Sequence, residues 1–151
     1  MRWFRIDNRL VHGQVIEAWL PYTGASCLVV ANDDVANDDL QQQIMSLAIP
    51  SRVDVHFLAV QSVPQFLKTQ GDTDAFVLFS NCYDVERVFT GGLVMDVLNI
   101  GNMHYAPGKK QLYPHVALSA EDQSCLSFLQ QHGVMLDFRC VPNDTTEARG
   151  L

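Results

Sequence analysis

"RWFRIDNRLVHGQVIEAWL", residues 2–20, joins a short apolar strand to a helix through a polar turn. The strand is "RWFRI", and after it Val15, Ala18 and Trp19 lie at helical spacing. The turn between them, "DNRLVHG", holds an aspartate, an arginine, a histidine and a glycine. A strand followed directly by a helix predicts the first unit of an α/β fold.

The same alternation continues along the chain. Further strands are predicted at "SCLVVAN", "VDVHFLAV", "DAFVLFS", "VMDVLNI" and "VMLDFRCV", with shorter ones around "QLYP" and "HVAL". Helices are predicted over "DVANDDLQQQIMSLAI", "SVPQFLKTQG", "CYDVERVFTGG" and "SAEDQSCLSFLQQHG". Apolar strands between helices are typical of a buried parallel sheet, so we expect a three-layer α/β/α fold with a mainly parallel sheet of about six to seven strands.

One predicted helix has a clear apolar stripe. The segment "DVANDDLQQQIMSLAI" places four apolar residues on one helix face, and this spacing predicts that the face lies in the core: Leu40, Ile44, Leu47 and Ala48. The "NDD" runs at residues 32–34 and 37–39 favour helix capping over metal binding, because they lie around helix starts.

Length and composition indicate one globular domain over residues 1–151, with 48% hydrophobic and 18% charged residues. The longest apolar runs are far shorter than a membrane span, and the N-terminus is too polar for a secretory signal. We therefore expect a cytoplasmic protein. The last residues, "PNDTTEARGL" at 142–151, are expected to form a loose tail.

Charge and cysteine content exclude several classes of function. A net charge of −7 with scattered basic residues argues against broad nucleic-acid binding, although a local phosphate site remains open. The four cysteines have no C-x-x-C spacing and no histidine at zinc-ligand distance, which indicates reduced thiols. We expect no metal and no cofactor, and no G-x-G-x-x-G follows the first strand.

The first turn carries the residues for phosphoryl chemistry. A neutral imidazole at His12 is a good nucleophile near neutral pH. Helix-start amides at Gly13 and Gln14, with the guanidinium of Arg9, would stabilise the phosphoryl oxygens. Asp7 would either fix the tautomer of His12 or hold Arg9 in place. If His12 exchanges a phosphoryl group with another protein, it should be accessible in a shallow depression.

Three more residues are predicted to contact phosphate, and they lie on or just after strands: Arg5, Ser80 and Asn81. Arg5 precedes the turn on its own strand. The other two follow the fourth strand, whose carboxyl end should border the same crevice in an open α/β sheet. The "IGN" turn at Gly101–Asn102 should border it as well.

The stretch "RIDNRLVHGQV", followed by "AW", resembles the signature of the IIB components of the mannose/fructose/sorbose family of the bacterial sugar phosphotransferase system. The similarity continues through "VVANDDVANDDLQQQIMSLAIP", "LNIGNMHYAPGKKQL" and "GVMLDFRCVPND". The resemblance implies an α/β/α fold with the first strand at its centre and a phosphohistidine at His12. One departure is Asn8, which stands where an aspartate is common in the family.

The resemblance also implies partners. His12 would accept phosphate from a phosphohistidine on a IIA protein and pass it to a sugar held by the membrane components IIC and IID. A homodimer is a further expectation. Two alternatives stay open: a regulatory phosphoprotein that uses the same loop without transport, and a module that binds a phosphorylated metabolite non-covalently.

Overall fold

A computed structural model describes residues 1–145, and its centre is a six-stranded sheet in which every pair of neighbouring strands is parallel. The strand order is β3-β2-β4-β1-β5-β8. The strands are β1 Arg2–Asp7, β2 Cys27–Ala31, β3 Asp54–Leu58, β4 Ala75–Phe79, β5 Val97–Asn102 and β8 Met135–Asp137. The other two, β6 Lys110–Tyr113 and β7 Val116–Leu118, form a separate antiparallel pair. The predicted α/β fold with a mainly parallel sheet is confirmed, and β1 lies inside the sheet as the resemblance implies.

The helices form one layer on each face of the sheet. They are α1 over residues 13–23, α2 Asp33–Ala36, α3 Asp39–Leu47, α4 Val63–Thr69, α5 Cys82–Thr90 and α6 Ala120–Gln131. Within α1 the stretch Val15–Trp19 is π-helical. Helices α1 to α3 share one hydrophobic core with the sheet, and α4 to α6 share the other. Every residue of β2 and β4 is buried, which agrees with their continuous apolar sequences.

The amino-terminal caps of α2 and α3 are the residues that the sequence predicts. The Asn32 side chain accepts a hydrogen bond from the Val35 amide at the start of α2, and the Asp38 side chain caps α3 through the Gln41 amide. Both "NDD" runs therefore have the predicted capping role.

The apolar stripe of α3 is not buried, which corrects a prediction. Leu40, Ile44 and Leu47 are 67%, 54% and 89% exposed, and Ala48 is exposed too. The buried residue of α3 is instead Met45, which lies outside this stripe. The apolar face that helical periodicity predicts therefore exists, but a different face of the helix packs against the core.

Two smaller differences concern the end of the chain. The last strand, β8, is three residues long, much shorter than the predicted "VMLDFRCV". The predicted tail at residues 142–151 falls largely on residues 146–151, which lie outside the described residues. Within residues 1–145, no helix is both long enough and apolar enough to cross a membrane.

Candidate functional site

The loop over residues 8–12 leaves the carboxyl end of β1 and leads directly into α1. Its neighbours in the sheet are β4 and β5, which pair with β1 on either side. The chain leaves β1 toward the α1 layer, whereas it leaves β4 and later β5 toward the opposite layer. This divergence opens a crevice at the end of β1, the usual place for a ligand in an open α/β sheet.

Two oxygen atoms of Asp7 accept hydrogen bonds that hold the loop in its conformation. Its Oδ1 accepts a hydrogen bond from the Arg9 amide at 3.0 Å, and its backbone carbonyl accepts one from the Leu10 amide at 3.0 Å. Leu10 has a φ of 57°, a left-handed conformation that is strained for leucine. Its side chain is buried in the core, which holds the residue in that conformation.

His12 lies between a carboxylate and a guanidinium. Its Nε2 is 2.6 Å from Asp7 Oδ2, and its Nδ1 is 3.2 Å from Arg9 Nη2. An ionised carboxylate accepts hydrogen bonds and a guanidinium donates them, so we assign the proton to Nε2 and the free lone pair to Nδ1. The side chain is 9% exposed, and its Arg9 contact lies at the surface. His12 is thus more enclosed than expected, with Nδ1 on its outer side.

Asp7 stays ionised because of its neighbours. Burial alone would raise its pKa, but hydrogen bonds from His12 and Asn102, together with the charge of Arg5, lower the pKa below its usual value. Its Oδ2 accepts hydrogen bonds from Asn102 Nδ2 at 2.9 Å and from Arg5 Nη2 at 3.0 Å. The expected role of Asp7 toward His12 thus has direct geometric support, and Asp7 contacts Arg9 only through the backbone amide.

Arg5 lies beneath the loop rather than at its surface. Its side chain is fully buried beneath Asp7, and it also donates to Asn99 Oδ1 at 2.6 Å and to the Cys140 carbonyl at 3.2 Å. Burial lowers the pKa of its guanidinium, and the charge of Asp7 opposes that effect. Every hydrogen bond that the structure gives Arg5 faces inward, so the geometry supports a role in holding Asp7, and the expected contact of Arg5 with phosphate stays a prediction.

The start of α1 provides amide donors beside His12. The His12 carbonyl accepts the first hydrogen bond of the helix, from the Ile16 amide at 3.1 Å. The amides of Gly13, Gln14 and Val15 precede that bond, so they lack helical partners and carry partial positive charge. Gly13 is exposed, and a Cβ there would meet nothing within 4 Å. The two predicted amide donors therefore lie where an anion can approach.

Ser80 borders the loop, whereas the Asn81 side chain is engaged at the start of α5. The Ser80 carbonyl accepts a hydrogen bond from Asn8 Nδ2 at 3.1 Å, so Ser80 borders the loop as expected. The Asn81 side chain caps α5 through the Asp84 amide and donates to Ser80 Oγ and Asp84 Oδ2. Both polar atoms of Asn81 are thus engaged within the chain, where the side chain caps α5, and its expected contact with phosphate stays a prediction.

Asn99 was absent from the predicted site, and Asn102 was expected only at its border. Both are buried on β5 and hold Arg5 and Asp7 respectively. Their signal in the sequence is the pair of asparagines within the otherwise apolar "VLNIGN", since buried polar residues need partners.

The loop residue Asn8 has two partners. Besides donating to the Ser80 carbonyl, it accepts a hydrogen bond from the His104 amide through its Oδ1.

Other titratable groups do not form a metal site. Across residues 1–145, no group of three or more histidine, cysteine, aspartate or glutamate side chains is placed to hold a metal ion. The four cysteines are free thiols, with Cys27 and Cys82 buried and Cys125 and Cys140 half-buried.

Comparison with known proteins identifies the family of the chain. Residues 1–149 match the family model described as PTS system sorbose subfamily IIB component, where PTS is the phosphotransferase system. The N-acetylgalactosamine-specific phosphotransferase enzyme IIB component 1 of Escherichia coli K12 is 36% identical over 145 residues, 95% of this chain and 92% of that protein. The sorbose-specific EIIB component of Klebsiella pneumoniae is 36% identical over 146 residues, 93% of this chain and 87% of that protein.

Solved structures agree as well. The crystal structure of the N-acetylgalactosamine-specific IIB component 1 from Escherichia coli superposes with a TM-score of 0.92 at 34% identity, covering 98% of both chains. A family model that spans nearly the whole chain, and relatives above 30% identity, lead to one conclusion. This chain belongs to the sorbose subfamily of PTS IIB components, the phosphotransferases that carry phosphoryl groups during sugar uptake.

Proposed function

We propose that His12 is the residue that carries the phosphoryl group in this IIB component. Its Nδ1 accepts the group from a phosphohistidine on a IIA partner and passes it to a sugar held by the membrane components IIC and IID. The whole chain, residues 1–151, acts as one domain on the cytoplasmic side of the membrane.

The observation that carries this proposal is the short contact of 2.6 Å between His12 Nε2 and Asp7 Oδ2. An ionised Asp7 keeps the proton on Nε2 and leaves the lone pair of Nδ1 available for attack. It also stabilises the positive charge that develops on the ring when Nδ1 forms a bond. Asp7 in turn is held by Asn102 and Arg5, so the orientation of the ring does not depend on an exposed side chain.

The first transfer makes one bond and breaks one. Nδ1 of His12 attacks the phosphorus atom, a new N–P bond forms, and the N–P bond of the donor histidine breaks. The donor imidazole leaves with the electron pair of that bond. Arg9 Nη2 donates to Nδ1 at 3.2 Å, so its guanidinium has only to turn from the ring to the phosphoryl oxygens, and this turn frees the Nδ1 lone pair for attack. The amides of Gly13 and Gln14 add further donors.

The second transfer moves the group to the sugar. A sugar hydroxyl attacks phosphorus and releases its proton to water, the N–P bond at His12 breaks with its electron pair returning to Nδ1, and the ring becomes neutral with the proton still on Nε2. Positioning of the reactants and stabilisation of charge account for most of the rate enhancement in such a transfer. The loop supplies both without a metal or a cofactor.

A phosphorylation assay tests the assignment of His12. The wild-type chain is incubated with its phosphorylated IIA partner, and we expect one acid-labile, base-stable phosphate per chain. His12→Ala should carry none. His132→Ala is the matched control, since this histidine lies at the end of α6 with its ring bonded to the Phe128 carbonyl, and it should be labelled normally. Label retained by His12→Ala would overturn the proposal.

A further inference from the structure

Trp19 lies on α1, seven residues after His12, and its indole is buried in the core. The amide of the next residue, Leu20, donates to the Val15 carbonyl, so this hydrogen bond spans five residues instead of the usual four. Turns of this π type are rare and occur frequently at functional sites. The π turn ends at Trp19, away from the loop, so a function for Trp19 has to act through other residues.

The guanidinium of Arg5 lies over the indole ring of Trp19. Its Cζ atom is 5.0 Å from the centroid of the ring, within the range of a cation–π contact. Such a contact stabilises a desolvated cation more than an exposed one, and Arg5 is fully buried. All three nitrogen atoms of the guanidinium donate to acceptors on Asp7, Asn99 and Cys140. Trp19 thus supplies the aromatic contact of a buried cation whose nitrogen atoms are held by other groups.

Trp19 and Arg5 also share a hydrogen-bond acceptor. The indole Nε1 donates to the Cys140 carbonyl at 2.8 Å, and Arg5 Nη1 donates to the same oxygen at 3.2 Å. A carbonyl oxygen has two lone pairs, so it can accept from both donors. The Cys140 amide in turn donates to Asp144 Oδ2, which holds this part of the backbone in place. Trp19 therefore fixes an acceptor of Arg5 as well as contacting Arg5 itself.

A second guanidinium lies over the same ring. Arg139 Cζ is 5.4 Å from the centroid of the Trp19 ring, and Arg139 donates to both carboxylate oxygens of Asp137. Asn99 Nδ2 donates to the backbone carbonyls of Asp137 and Arg139, while Asn99 Oδ1 accepts from Arg5. Loss of the indole would therefore loosen both the residues that follow β8 and the guanidinium of Arg5.

Arg5 connects this cluster to the site. Its Nη2 and Nε donate to Asp7 Oδ2 at 3.0 Å and 3.2 Å, and the same oxygen is 2.6 Å from His12 Nε2. A shift of Arg5 would therefore move the oxygen that orients the imidazole. The effect on rate can be large, because a displacement of about 1 Å at a reacting group can cost about a hundredfold.

We propose that Trp19 is a positioning residue for phosphoryl transfer, which holds Arg5 beneath Asp7 and so fixes the orientation of the His12 ring. The proposal rests on the proposed function, in which His12 carries the phosphoryl group. Because Trp19 is buried and acts through Arg5 and Asp7, it determines the rate of the transfer and not the binding of the IIA partner.

Three variants of the full chain test this role. Trp19→Leu removes both the aromatic ring and the indole N–H, whereas Trp19→Phe keeps an aromatic ring beside Arg5. Phe76→Leu is the matched control, because Phe76 and Trp19 are both 1% exposed and belong to the same core. Phe76 lies opposite Trp3 in the register of β1 and β4, whereas Arg5 lies opposite Leu78. Urea denaturation identifies a temperature at which every variant is folded, and phosphorylation by the IIA partner is measured there.

We expect Trp19→Leu to lower the maximal rate of His12 phosphorylation about tenfold or more, with the half-saturating concentration of the IIA partner within about twofold of wild type. Trp19→Phe should recover most of that rate, and the control should match wild type. NMR of the imidazole nitrogens should show a mixture of His12 tautomers in Trp19→Leu and a proton fixed on Nε2 in the other proteins. A merely structural role would not change the tautomer of a folded protein.

A measurement on the wild type does not depend on the folding of any variant. The chain has two tryptophans, Trp3 and Trp19. Phosphorylation places a positive charge on the His12 ring, which strengthens the pull of the ring on Asp7 and changes the bonds of Arg5. The indole N–H resonance of Trp19 should therefore shift on phosphorylation, whereas that of Trp3 should stay in place.

Four results would overturn the proposal. A wild-type rate with a single tautomer in folded Trp19→Leu would show that Arg5 does not need the indole. An equal loss of rate in Phe76→Leu would make the effect one of general packing. A raised half-saturating concentration at an unchanged maximal rate would assign Trp19 to partner binding, and an unshifted Trp19 resonance would show that it is not coupled to His12. Absence of label on wild-type His12 would instead contradict the proposed function.

Discussion

The guanidinium of Arg5 fills the space in which a side chain at Gly101 would lie. A Cβ built on Gly101 would be 1.9 Å from Arg5 Cζ, far inside van der Waals contact. Gly101 therefore allows β5 to pass directly beside the buried arginine that holds Asp7. The backbone of one strand and the side chain of its neighbour are packed together beneath the site.

Gly101→Ala should displace Arg5 and destabilise the protein. We expect a loss of about 2 kcal/mol or more in the free energy of unfolding, because the buried guanidinium cannot move without breaking its bonds to Asp7 and Asn99. Urea denaturation measures this loss. Gly13→Ala is the control for stability, since a Cβ there meets nothing within 4 Å, and its effect should stay below about 1 kcal/mol. Equal stability of both variants would contradict the close packing.

Asp7→Asn should slow phosphorylation of His12 by about a hundredfold or more, because the ring loses the carboxylate that fixes its tautomer and stabilises its charge. NMR of the imidazole nitrogens should report a proton fixed on Nε2 in the wild type and a mixture of tautomers in the variant. The control is Asp54→Asn, an exposed carboxylate on β3, which should alter neither measurement. A variant that keeps both the rate and the tautomer would remove Asp7 from the proposed mechanism.

Asp7 should also make stability depend on pH. Its pKa in the folded protein lies below the value of about 3.9 in an unfolded chain. Its ionised form therefore stabilises the fold fully above about pH 4, and this contribution is lost as the pH falls through the lower pKa of the folded state. The difference in unfolding free energy between wild type and Asp7→Asn should be large at neutral pH and should shrink in acid. A difference that does not change with pH would contradict the lowered pKa.

The sequence predicts most of the fold because the signals for it are local. Continuous apolar runs such as "CLVVA" and "AFVLF" form fully buried strands of the central sheet, and Asn32 and Asp38 of the "NDD" runs cap helices as their chemistry requires. Asp7, Arg9 and His12 lie within one short stretch, so a phosphate-binding loop can be predicted there before any tertiary contact is known.

The sequence is least informative where a residue's surroundings depend on distant parts of the chain. Arg5 reads as a free cation beside the turn, but in the fold it donates hydrogen bonds to Asp7 and to Asn99, which is 94 residues later. Asn81 follows a strand at the crevice, yet the start of α5 engages its amide. In α3 the periodicity predicts an apolar face, but a chain read alone does not reveal which faces the fold leaves open.

The central position of β1 has a consequence for synthesis on the ribosome. His12 and Asp7 leave the exit tunnel well before their partners, because Asn102 comes 95 residues after Asp7 and the Cys140 carbonyl comes 135 residues after Arg5. Until β4 and β5 arrive on either side of β1, Asp7 lacks the buried partners that keep it ionised and oriented. A nascent chain thus contains His12 long before it has the proposed site, and on the proposed mechanism it becomes competent for phosphorylation only after residue 102 has been made.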